Sequence, residues 1–389
     1  MTYTVKLTQD DGKVIAMTGV AAVETDPPLT STAPPPTINL LKITDAPYGA
    51  SVNGDPTANF NAINKCYKDA KAQGAQVEVP AGKFRYKGTL VHDGITVLNN
   101  GELQGADPNS GYYMKGANPR LLGGKLSHEG NTVRDSQMYH HGIGLFDQTG
   151  IFEIIDVTVV NPAAAGICIW DGRDGRILGC TIEDSLADGM HHVASSDGTS
   201  GNIYERGNVV KRAGDDCLSF VTYGTGAQPV HDVQVWNFRG EDNTWGRGIT
   251  ILGAKDIVIN GAVLNRIKCF GLFCGAESNF GGAGSYSQAQ FNDVKVDVCG
   301  SWSSTADCQD GVLISGWTNT TVCDLKDVVI SRPMRHGVLR YHSTGNEFNQ
   351  DNVIYNAIPE QEVCTVGAPA GQSYSYPSRF PRFEGPRRD

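Results

Sequence analysis

The sequence lacks the features that mark several large classes of protein. It has no run of lysine and arginine that would bind nucleic acid or an anionic membrane surface, and 42 acidic against 32 basic residues give a net charge of −10. No apolar stretch reaches the length of a membrane span. The cysteines do not form the Cys-x-x-Cys pairs of a zinc site. These absences predict a protein with no nucleic-acid partner, no membrane partner and no zinc centre.

The ten cysteines leave the redox compartment open. Cys168 and Cys217 lie in apolar, strand-like runs, where we expect them to be small buried hydrophobes. Two pairs lie close enough in sequence to form a disulfide, and the sequence does not decide whether they do: Cys269 with Cys274, and Cys299 with Cys308.

Glycine, by contrast, is abundant, with 47 of 389 residues, or about 12% against a usual ~7%. Several glycines begin short apolar segments that recur at intervals of 22, 23, 27, 32, 23, 40 and 26 residues. The segments begin at Gly144, Gly166, Gly189, Asp216, Gly248, Gly271, Gly311 and Gly337. A recurring unit of this size, with a turn residue at each corner, predicts a solenoid.

The repeats favour strands over helices, because they are rich in Val, Ile and Gly and lack a 3.6-residue period. The β-branched runs are 152–160, 233–236, 256–260, 294–298 and 328–330. Before them, residues 58–73 predict one amphipathic helix that ends at Gly74. Its apolar face consists of Phe60, Ile63, Tyr67 and Ala70. We expect this helix to cap the solenoid, since an uncovered end would expose core and strand edges.

Composition divides the chain into three parts. Residues 1–37 contain an alternating, strand-like segment at 2–7 and end in a Pro/Thr-rich linker. Residues 38–364 form the predicted solenoid domain, in which 275–293 is predicted to be a loop over one face. Residues 365–389 are rich in Pro, Ser and Arg, and we expect them to be irregular.

The segment around the predicted helix is similar to a known family. Its motifs at 48–50 (Tyr-Gly-Ala), 53–55 (Asn-Gly-Asp) and 79–84 (Val-Pro-Ala-Gly-Lys-Phe) resemble the entrance of right-handed parallel β-helix proteins of the pectate-lyase superfamily. Tail-spike depolymerases of bacteriophages often carry this entrance. The resemblance covers roughly residues 40–360 and implies an all-β, right-handed parallel β-helix with an N-terminal capping helix. It also implies a homotrimer if the protein is virion-associated.

Three aspartates lie where the repeats predict a shared corner. Asp188, Asp215 and Arg247 each precede the turn residue of successive repeats, so the sequence predicts that they stack about 5 Å apart, with Asp216 beside Asp215. Glycosidic hydrolysis needs an acid for the leaving oxygen and a base for water, held about 6.5–9.5 Å apart in inverting enzymes. Carboxylates on adjacent rungs fit that separation, and their repulsion keeps one protonated to higher pH, as the acid role requires.

These aspartates stand in motifs with a second resemblance. The motifs 187–189 (Ala-Asp-Gly) and 214–217 (Gly-Asp-Asp-Cys) resemble the site of the β-helical glycoside hydrolases, namely polygalacturonases, dextranases and α-1,3-glucanases. The resemblance implies that Asp215 is the general acid and that Asp188 and Asp216 hold and activate the water. Polygalacturonases have Gly-His-Gly on the next turn, where this chain has Gly-Arg-Gly, and this difference disfavours pectin as the substrate.

Other polar side chains near this corner are candidates for substrate binding. Strand alternation directs His191 toward the groove, so we expect it to contact substrate. Arg247, one rung beyond the aspartate pair, is expected to orient substrate or to pair with an aspartate. Asp310 and His336 occupy the same corner further along and are expected to be turn residues. Four tryptophans are able to stack on sugars but are expected to be packing residues: Trp170, Trp245, Trp302 and Trp317.

The residues therefore predict an inverting glycoside hydrolase that degrades a polysaccharide and needs no metal and no cofactor. A lyase or epimerase on the same fold stays open, because Arg247 and the acidic cluster also suit proton abstraction beside a uronate neutralised by Ca²⁺. A non-catalytic, glycan-binding adhesin stays open as well. The apolar segment 14–23 follows Asp10 and Asp11 and reads poorly as a signal peptide. Together with the β-helix entrance motif, this favours a virion-associated depolymerase such as a phage tail spike, and an extracellular, secreted enzyme is the alternative.

Overall fold

The computed structural model describes residues 2–8, 14–20, 39–135, 137–195, 198–223, 228–275, 287–300, 310–315, 321–342 and 346–367. The chain divides into two compact units, Met1–Ile38 and Asn39–Asp389. The first unit contains an antiparallel pair of strands, β1 Thr2–Thr8 and β2 Val14–Val20. The strand predicted at 2–7 is therefore confirmed. No helix among the described residues is long and apolar enough to cross a membrane.

The second unit consists of short strands and one α-helix, as far as the described residues go. It begins with β3 Leu40–Lys42, α1 Pro56–Gln73, β4 Gln76–Val79, β5 Lys83–Tyr86, β6 Thr89–Asp93, β7 Thr96–Asn99, β8 Glu102–Gly105, β9 Gly111–Ala117, β10 Arg120–Leu122 and β11 Lys125–His128. It continues with β12 Ile143–Thr149, β13 Phe152–Ile155, β14 Thr158–Val160, β15 Ile167–Trp170, β16 Arg173–Leu178, β17 Thr181–Glu183, β18 Met190–Ala194, β19 Gly201–Arg206, β20 Val209–Lys211, β21 Leu218–Thr222, β22 His231–Glu241 and β23 Ile249–Leu252. It ends with β24 Lys255–Ile267, β25 Leu272–Gly275, β26 Ser287–Cys299, β27 Val312–Ser315, β28 Thr321–Lys326, β29 Val329–Pro333, β30 Val338–His342, β31 Glu347–Asp351, β32 Ile354–Asn356 and β33 Val363–Gly367.

These strands form the coils of a parallel β-helix. An 11-stranded sheet takes one strand from each coil, in the order β6, β9, β12, β15, β18, β21, β23, β25, β27, β30 and β33. A 20-stranded sheet takes the rest of each coil, either as two short strands or as one long bent strand such as β22. Strands of successive coils pair in parallel register in both sheets. The predicted all-β parallel solenoid is confirmed.

The bend between the two arms of the 20-stranded sheet needs a residue with positive φ in coil after coil. Those residues are Asp156, Gly179, Gly207, Asn237, Gly261, Asp293, Asp327 and Asn352, all with φ between 50° and 70°. Glycine, Asn and Asp adopt this left-handed conformation at the lowest cost. The abundance of glycine in the sequence thus reflects the corners of the coils.

Apolar side chains stack in rows inside the β-helix. Ile167, Met190, Leu218, Ile249 and Leu272 occupy matching positions in five successive strands of the 11-stranded sheet, and each is fully buried. Burying a side chain of this size stabilises the fold by about 1.5–3 kcal/mol. These rows fix the register, since a slip by one residue would turn every inward side chain outward.

Helix α1 covers the N-terminal end of the second unit as predicted. Asp55 caps its N-terminus by accepting a hydrogen bond from the Ala58 amide, and Gly74 ends it in the left-handed conformation. Ile63 and Tyr67 are buried against the first strands, while Phe60 is half-buried. The helix therefore shields core residues that would otherwise be open to water.

Three details of the sequence-based interpretation change. Strand β25 ends at Gly275 and strand β26 begins at Ser287, so both ends of the predicted loop 275–293 belong to strands, while 276–286 lie outside the described residues. Cys269, Cys274 and Cys299 are buried, Cys274 and Cys299 carry free thiols, and Cys308 lies outside the described residues. Strand β33 ends past the predicted boundary at 364. Buried Cys168 and Cys217 confirm the expected packing role.

Candidate active site

The three aspartates lie at the corner where the chain enters the 11-stranded sheet. Met190 of β18 pairs with Leu218 of β21, so Asp188 and Asp216 occupy equivalent positions on adjacent coils. The predicted pairing of Asp188 with Asp215 was wrong by one residue. Asp215 and Asp216 are equally suited to a turn, so the turn does not decide the register. The register is decided by Met190 and Leu218, which both point into the core.

The carboxylates are close together and tied to their neighbours. One oxygen of each of Asp188, Asp215 and Asp216 lies within 4.8 Å of the others. The Asp216 amide donates to Asp188 Oδ1 at 3.2 Å, and the Arg247 amide donates to Asp216 Oδ1 at 2.7 Å. A Cβ on Gly246 would lie 2.4 Å from Asp215 Oδ1, so the next coil needs a glycine there to leave room for that carboxylate.

The separation of these oxygens is shorter than predicted. Inverting enzymes hold their carboxyl groups about 6.5–9.5 Å apart, whereas the nearest oxygens here lie within 4.8 Å. A water that makes two hydrogen bonds of about 2.8 Å still bridges oxygens at that distance. One water is therefore able to hydrogen-bond to two of these carboxylates at once.

Two arginines compensate part of the negative charge. Arg134 Nη1 donates to Asp215 Oδ2 at 2.7 Å, and Arg247 Nη1 lies 3.7 Å from Asp216 Oδ2. The Arg247 guanidinium also lies over the Phe273 ring, 4.4 Å from its centroid. Three carboxylates against two guanidiniums leave one excess negative charge when all are ionised.

Burial and mutual repulsion favour retention of a proton in this cluster. Burial, followed by the charges of Asp215 and Asp216, raises the pKa of Asp188 well above its ordinary value. Burial, followed by Asp216, raises the pKa of Asp215 to about 6 even though Arg134 lowers it. Because the groups interact strongly, they titrate as one unit that holds a shared proton in mildly acidic solution.

His191 lies on the groove side of its strand, and His192 points into the core. His191 Nδ1 is 2.6 Å from Ser219 Oγ and 3.3 Å from Asp188 Oδ2. Burial lowers the pKa of His191 to about 3, so the imidazole is neutral at physiological pH. A neutral ring that contacts Asp188 orients this carboxylate without adding charge to the site.

A cavity of about 270 Å³ opens beside Asp188. Its walls include Arg134, His141, Cys168, Trp170, Asp188, His191 and Tyr223. The Trp170 and Tyr223 rings stack, with centroids 6.1 Å apart and an interplanar angle of 17°. Trp170, expected only to pack, thus forms part of a wall next to the carboxylates, and Trp302 and Trp317 lie outside the described residues.

Comparison with known proteins identifies the fold but no family. No protein-family model matches the chain, and no curated protein matches it. The catalytic unit of a family 87 α-1,3-glucanase from Streptomyces thermodiastaticus is 17% identical, with a TM-score of 0.57 over 87% of this chain and 67% of that one. A polygalacturonase from Erwinia carotovora is 13% identical, with a TM-score of 0.55 over 87% of this chain and all of that one. The fold is a right-handed parallel β-helix.

The site of this β-helix contains residues that sequence reasoning missed. Arg134 precedes Asp215 by 81 residues and lies in a turn-rich stretch before the clear repeats. Tyr223 follows β21 and has no counterpart in the repeat pattern. A single arginine or tyrosine outside a repeat carries no signal of its position in space, so only the folded coils bring these side chains to the aspartates.

Asp310 and His336 lie further along the same corner, away from the three aspartates. Arg335 donates to both Asp310 oxygens, at 3.0 and 2.7 Å. The amide and Nδ1 of His336 contact Asp310 Oδ1 at 3.1 and 2.8 Å. These bonds tie two coils together, which agrees with the predicted role of both residues in a turn.

The aspartate cluster is also the one group among the described residues with the spacing of a metal site. Carboxylate oxygens are the ligands that Ca²⁺ and Mg²⁺ prefer. Here, however, Arg134 and Arg247 already pair with two of the three carboxylates. A divalent cation would have to compete with both guanidiniums, so the donor set does not fit a resident metal.

Proposed function

We propose that the protein is a glycoside hydrolase that cleaves a polysaccharide with Asp188, Asp215 and Asp216. The observation that carries the proposal is the meeting of three carboxylates, two buried and that of Asp215 half-buried, within 4.8 Å at one corner of two successive coils. Burial and repulsion keep a proton in this cluster, and acid–base hydrolysis of a glycosidic bond needs that proton.

In the proposed reaction, Asp215 gives its proton to the glycosidic oxygen as the bond from this oxygen to the anomeric carbon breaks. A water held by Asp188 and Asp216 attacks the anomeric carbon and gives a proton to one of these two carboxylates. In the reactive form the shared proton is on Asp215, which leaves the Asp188 carboxylate ionised and able to accept a proton from the water. The product carries a solvent oxygen at its new reducing end, and the proton count of the cluster is unchanged.

The cavity beside Asp188 favours an uncharged sugar. Arg134 is the one Lys or Arg in its wall among the described residues, and it already pairs with Asp215. Burial lowers the pKa of His141 to about 4 and of His191 to about 3, so both rings are neutral. The Trp170 and Tyr223 rings offer flat apolar faces for the C–H groups of a sugar. A neutral glycan is therefore a better candidate than a uronate polymer.

The proposed function also predicts where the enzyme acts and how it assembles. A polysaccharide substrate outside the cell agrees with an extracellular or virion-associated enzyme, either secreted or part of a tail spike. A homotrimer would accompany the virion-associated form. Light scattering of the purified protein measures the oligomeric state directly.

Product analysis tests the proposed function. We expect release of reducing ends from at least one member of a panel of α-1,3-glucan, dextran, bacterial capsules and polygalacturonate, with no ultraviolet absorbance from an unsaturated sugar. We also expect the first product to be the inverted anomer by NMR. Unsaturated product would assign the chain to the lyases, and tight glycan binding without product would make it an adhesin.

Replacing Arg134 by glutamine is expected to move the alkaline limb of the activity–pH profile to higher pH. Arg134 lowers the pKa of Asp215, which burial and Asp216 raise to about 6. Without the positive charge, Asp215 keeps its proton to higher pH, so the acid form persists further. The measurement is kcat/KM against pH. Arg134→Lys keeps the charge and serves as the matched control, and an unshifted limb in the glutamine variant would contradict the assignment of Asp215.

A further inference from the structure

A second concave surface lies on the outer face of the 20-stranded sheet. Strands β16, β19 and β22 form its floor, and its volume is about 440 Å³. Arg176, Tyr204 and Gln234 lie side by side there, one from each of three successive coils. These coils are the ones that carry the aspartates, but the surface belongs to the other sheet. It is therefore separate from the cavity beside Asp188.

Planar polar side chains line one edge of this surface. Asp174, Asn202 and Asp232 occupy equivalent corners of the three coils, each with φ between 50° and 58°. The Asn202 amide donates to Asp174 Oδ1 at 2.5 Å. Carboxylates and amides in a row beside a half-buried tyrosine provide both acceptors and donors for the hydroxyl groups of a sugar.

An exposed tryptophan extends the surface. Trp236 follows Gln234 by two residues on β22, and Val233 and Val235 alternate with them into the core. The side chain of Trp236 is 40% exposed, which is unusual for the largest aromatic residue. Trp236 lies on the coil next to that of Tyr204 and two residues further along the strand, so the Cα atoms of the two residues are about 8 Å apart. The two rings thus reach neighbouring or alternate units of an extended sugar chain.

We infer that this Tyr204–Trp236 surface binds a second stretch of an uncharged polysaccharide, away from the site of cleavage. Aromatic rings stack on the C–H faces of sugars, and the row of carboxylates and amides binds their hydroxyls. The charged side chains that line the surface are Asp174, Asp232 and Arg176, which leave one excess negative charge and so favour an uncharged chain over an anionic one. That the bound chain is also the substrate rests on the proposed function.

Such a surface would act by holding the polymer near the enzyme. A tethered chain raises the effective concentration of further segments at the catalytic corner. The gain exists for long or insoluble chains and is lost for short oligosaccharides, which cannot occupy both surfaces. Rates on long and on short substrates therefore distinguish the contribution of this surface from that of the catalytic site.

The test is depletion of the protein by insoluble glycans. The Asp215→Asn protein is used because it is expected to leave the polymer uncleaved. It is mixed with α-1,3-glucan, cross-linked dextran and starch granules, and with insoluble polygalacturonate as the charged probe. We expect at least one uncharged glycan to deplete it, and Tyr204→Ala together with Trp236→Ala to weaken depletion on the order of tenfold. Val263→Ala removes another exposed apolar side chain of the same sheet and is expected to change nothing.

Three outcomes would overturn the inference. They are no depletion by any uncharged glycan, equal depletion of the aromatic double variant, and a changed oligomeric state in that variant, which would make the surface a subunit contact. Hydrolysis of soluble tetrasaccharides by the double variant is expected to equal that of the parent. Trp236-dependent depletion by a parent that cleaves nothing would refute the proposed function and leave this surface standing.

Discussion

Replacing Asp215 or Asp188 by asparagine is expected to lower kcat by about 10²–10⁴-fold, the usual contribution of general acid–base catalysis. Asparagine keeps the size of the side chain but neither donates a proton to the glycosidic oxygen nor takes one from water. The measurement is the initial rate of reducing-end release from the polysaccharide that the parent cleaves. Asp297→Asn is the matched control, because Asp297 forms an exposed ion pair with Arg332 far from this corner in sequence.

The loss of activity is expected without a loss of folding. The pKa of Asp215 is raised from 3.8 to about 6 in the folded protein, so its ionisation opposes folding above that range and has no effect below the ordinary pKa. Asp215→Asn removes this cost, so its melting temperature should be at least that of the parent at neutral pH. The difference should shrink as the pH falls toward 4. Unchanged kcat in both asparagine variants would refute the catalytic assignment.

Replacing Glu205 by alanine is expected to lower the free energy of unfolding by about 2–5 kcal/mol, because it opens a cavity in the core and leaves a buried polar group without its partner. The side chains of Glu205 and His192 are fully buried in the core. Glu205 Oε1 lies 2.6 Å from His192 Nε2, but the angle of this contact departs from that of a hydrogen bond. Asn208 donates to the other oxygen of Glu205 at 3.2 Å. The variant leaves these polar groups without their partner and opens a cavity.

Urea denaturation followed by circular dichroism measures the effect. Glu205→Gln keeps the volume of the side chain, and we expect it to lose less stability than the alanine variant. Asp297→Asn breaks an exposed pair and is expected to leave the midpoint unchanged. A Glu205→Ala protein as stable as the parent would mean that this buried contact with His192 does not hold the coils together.

The fold was accessible from the sequence because each coil repeats the same physical requirements. Apolar residues recur at the inward positions, and Gly, Asn or Asp recurs at corners that need positive φ, as at Gly179 and Asn237. The capping helix could be predicted from its apolar face and from Gly74. The prediction of a loop at 275–293 was wrong at its C-terminal end, because the polar composition of this segment gave no sign of β26. This strand pairs with β24 on one side and with β28 on the other.

The site was accessible only in part. Asp188, Asp215 and Asp216 stood out because two of the repeats carry them at a turn, yet their register was wrong by one residue. A turn accepts either aspartate, so the choice depended on which apolar residue of β21 enters the core. Arg134 and Tyr223 come from outside the repeats, and their approach to the aspartates follows from the path of whole coils.

Hydrolysis in ¹⁸O-labelled water tests the central claim most directly. If Asp188 and Asp216 activate a water that attacks the anomeric carbon, mass spectrometry will find one labelled oxygen at the new reducing end of each product. The label should appear with the parent and disappear, together with the product, in Asp215→Asn. Unlabelled, unsaturated fragments, or labelled product formed equally fast by Asp215→Asn, would contradict the account.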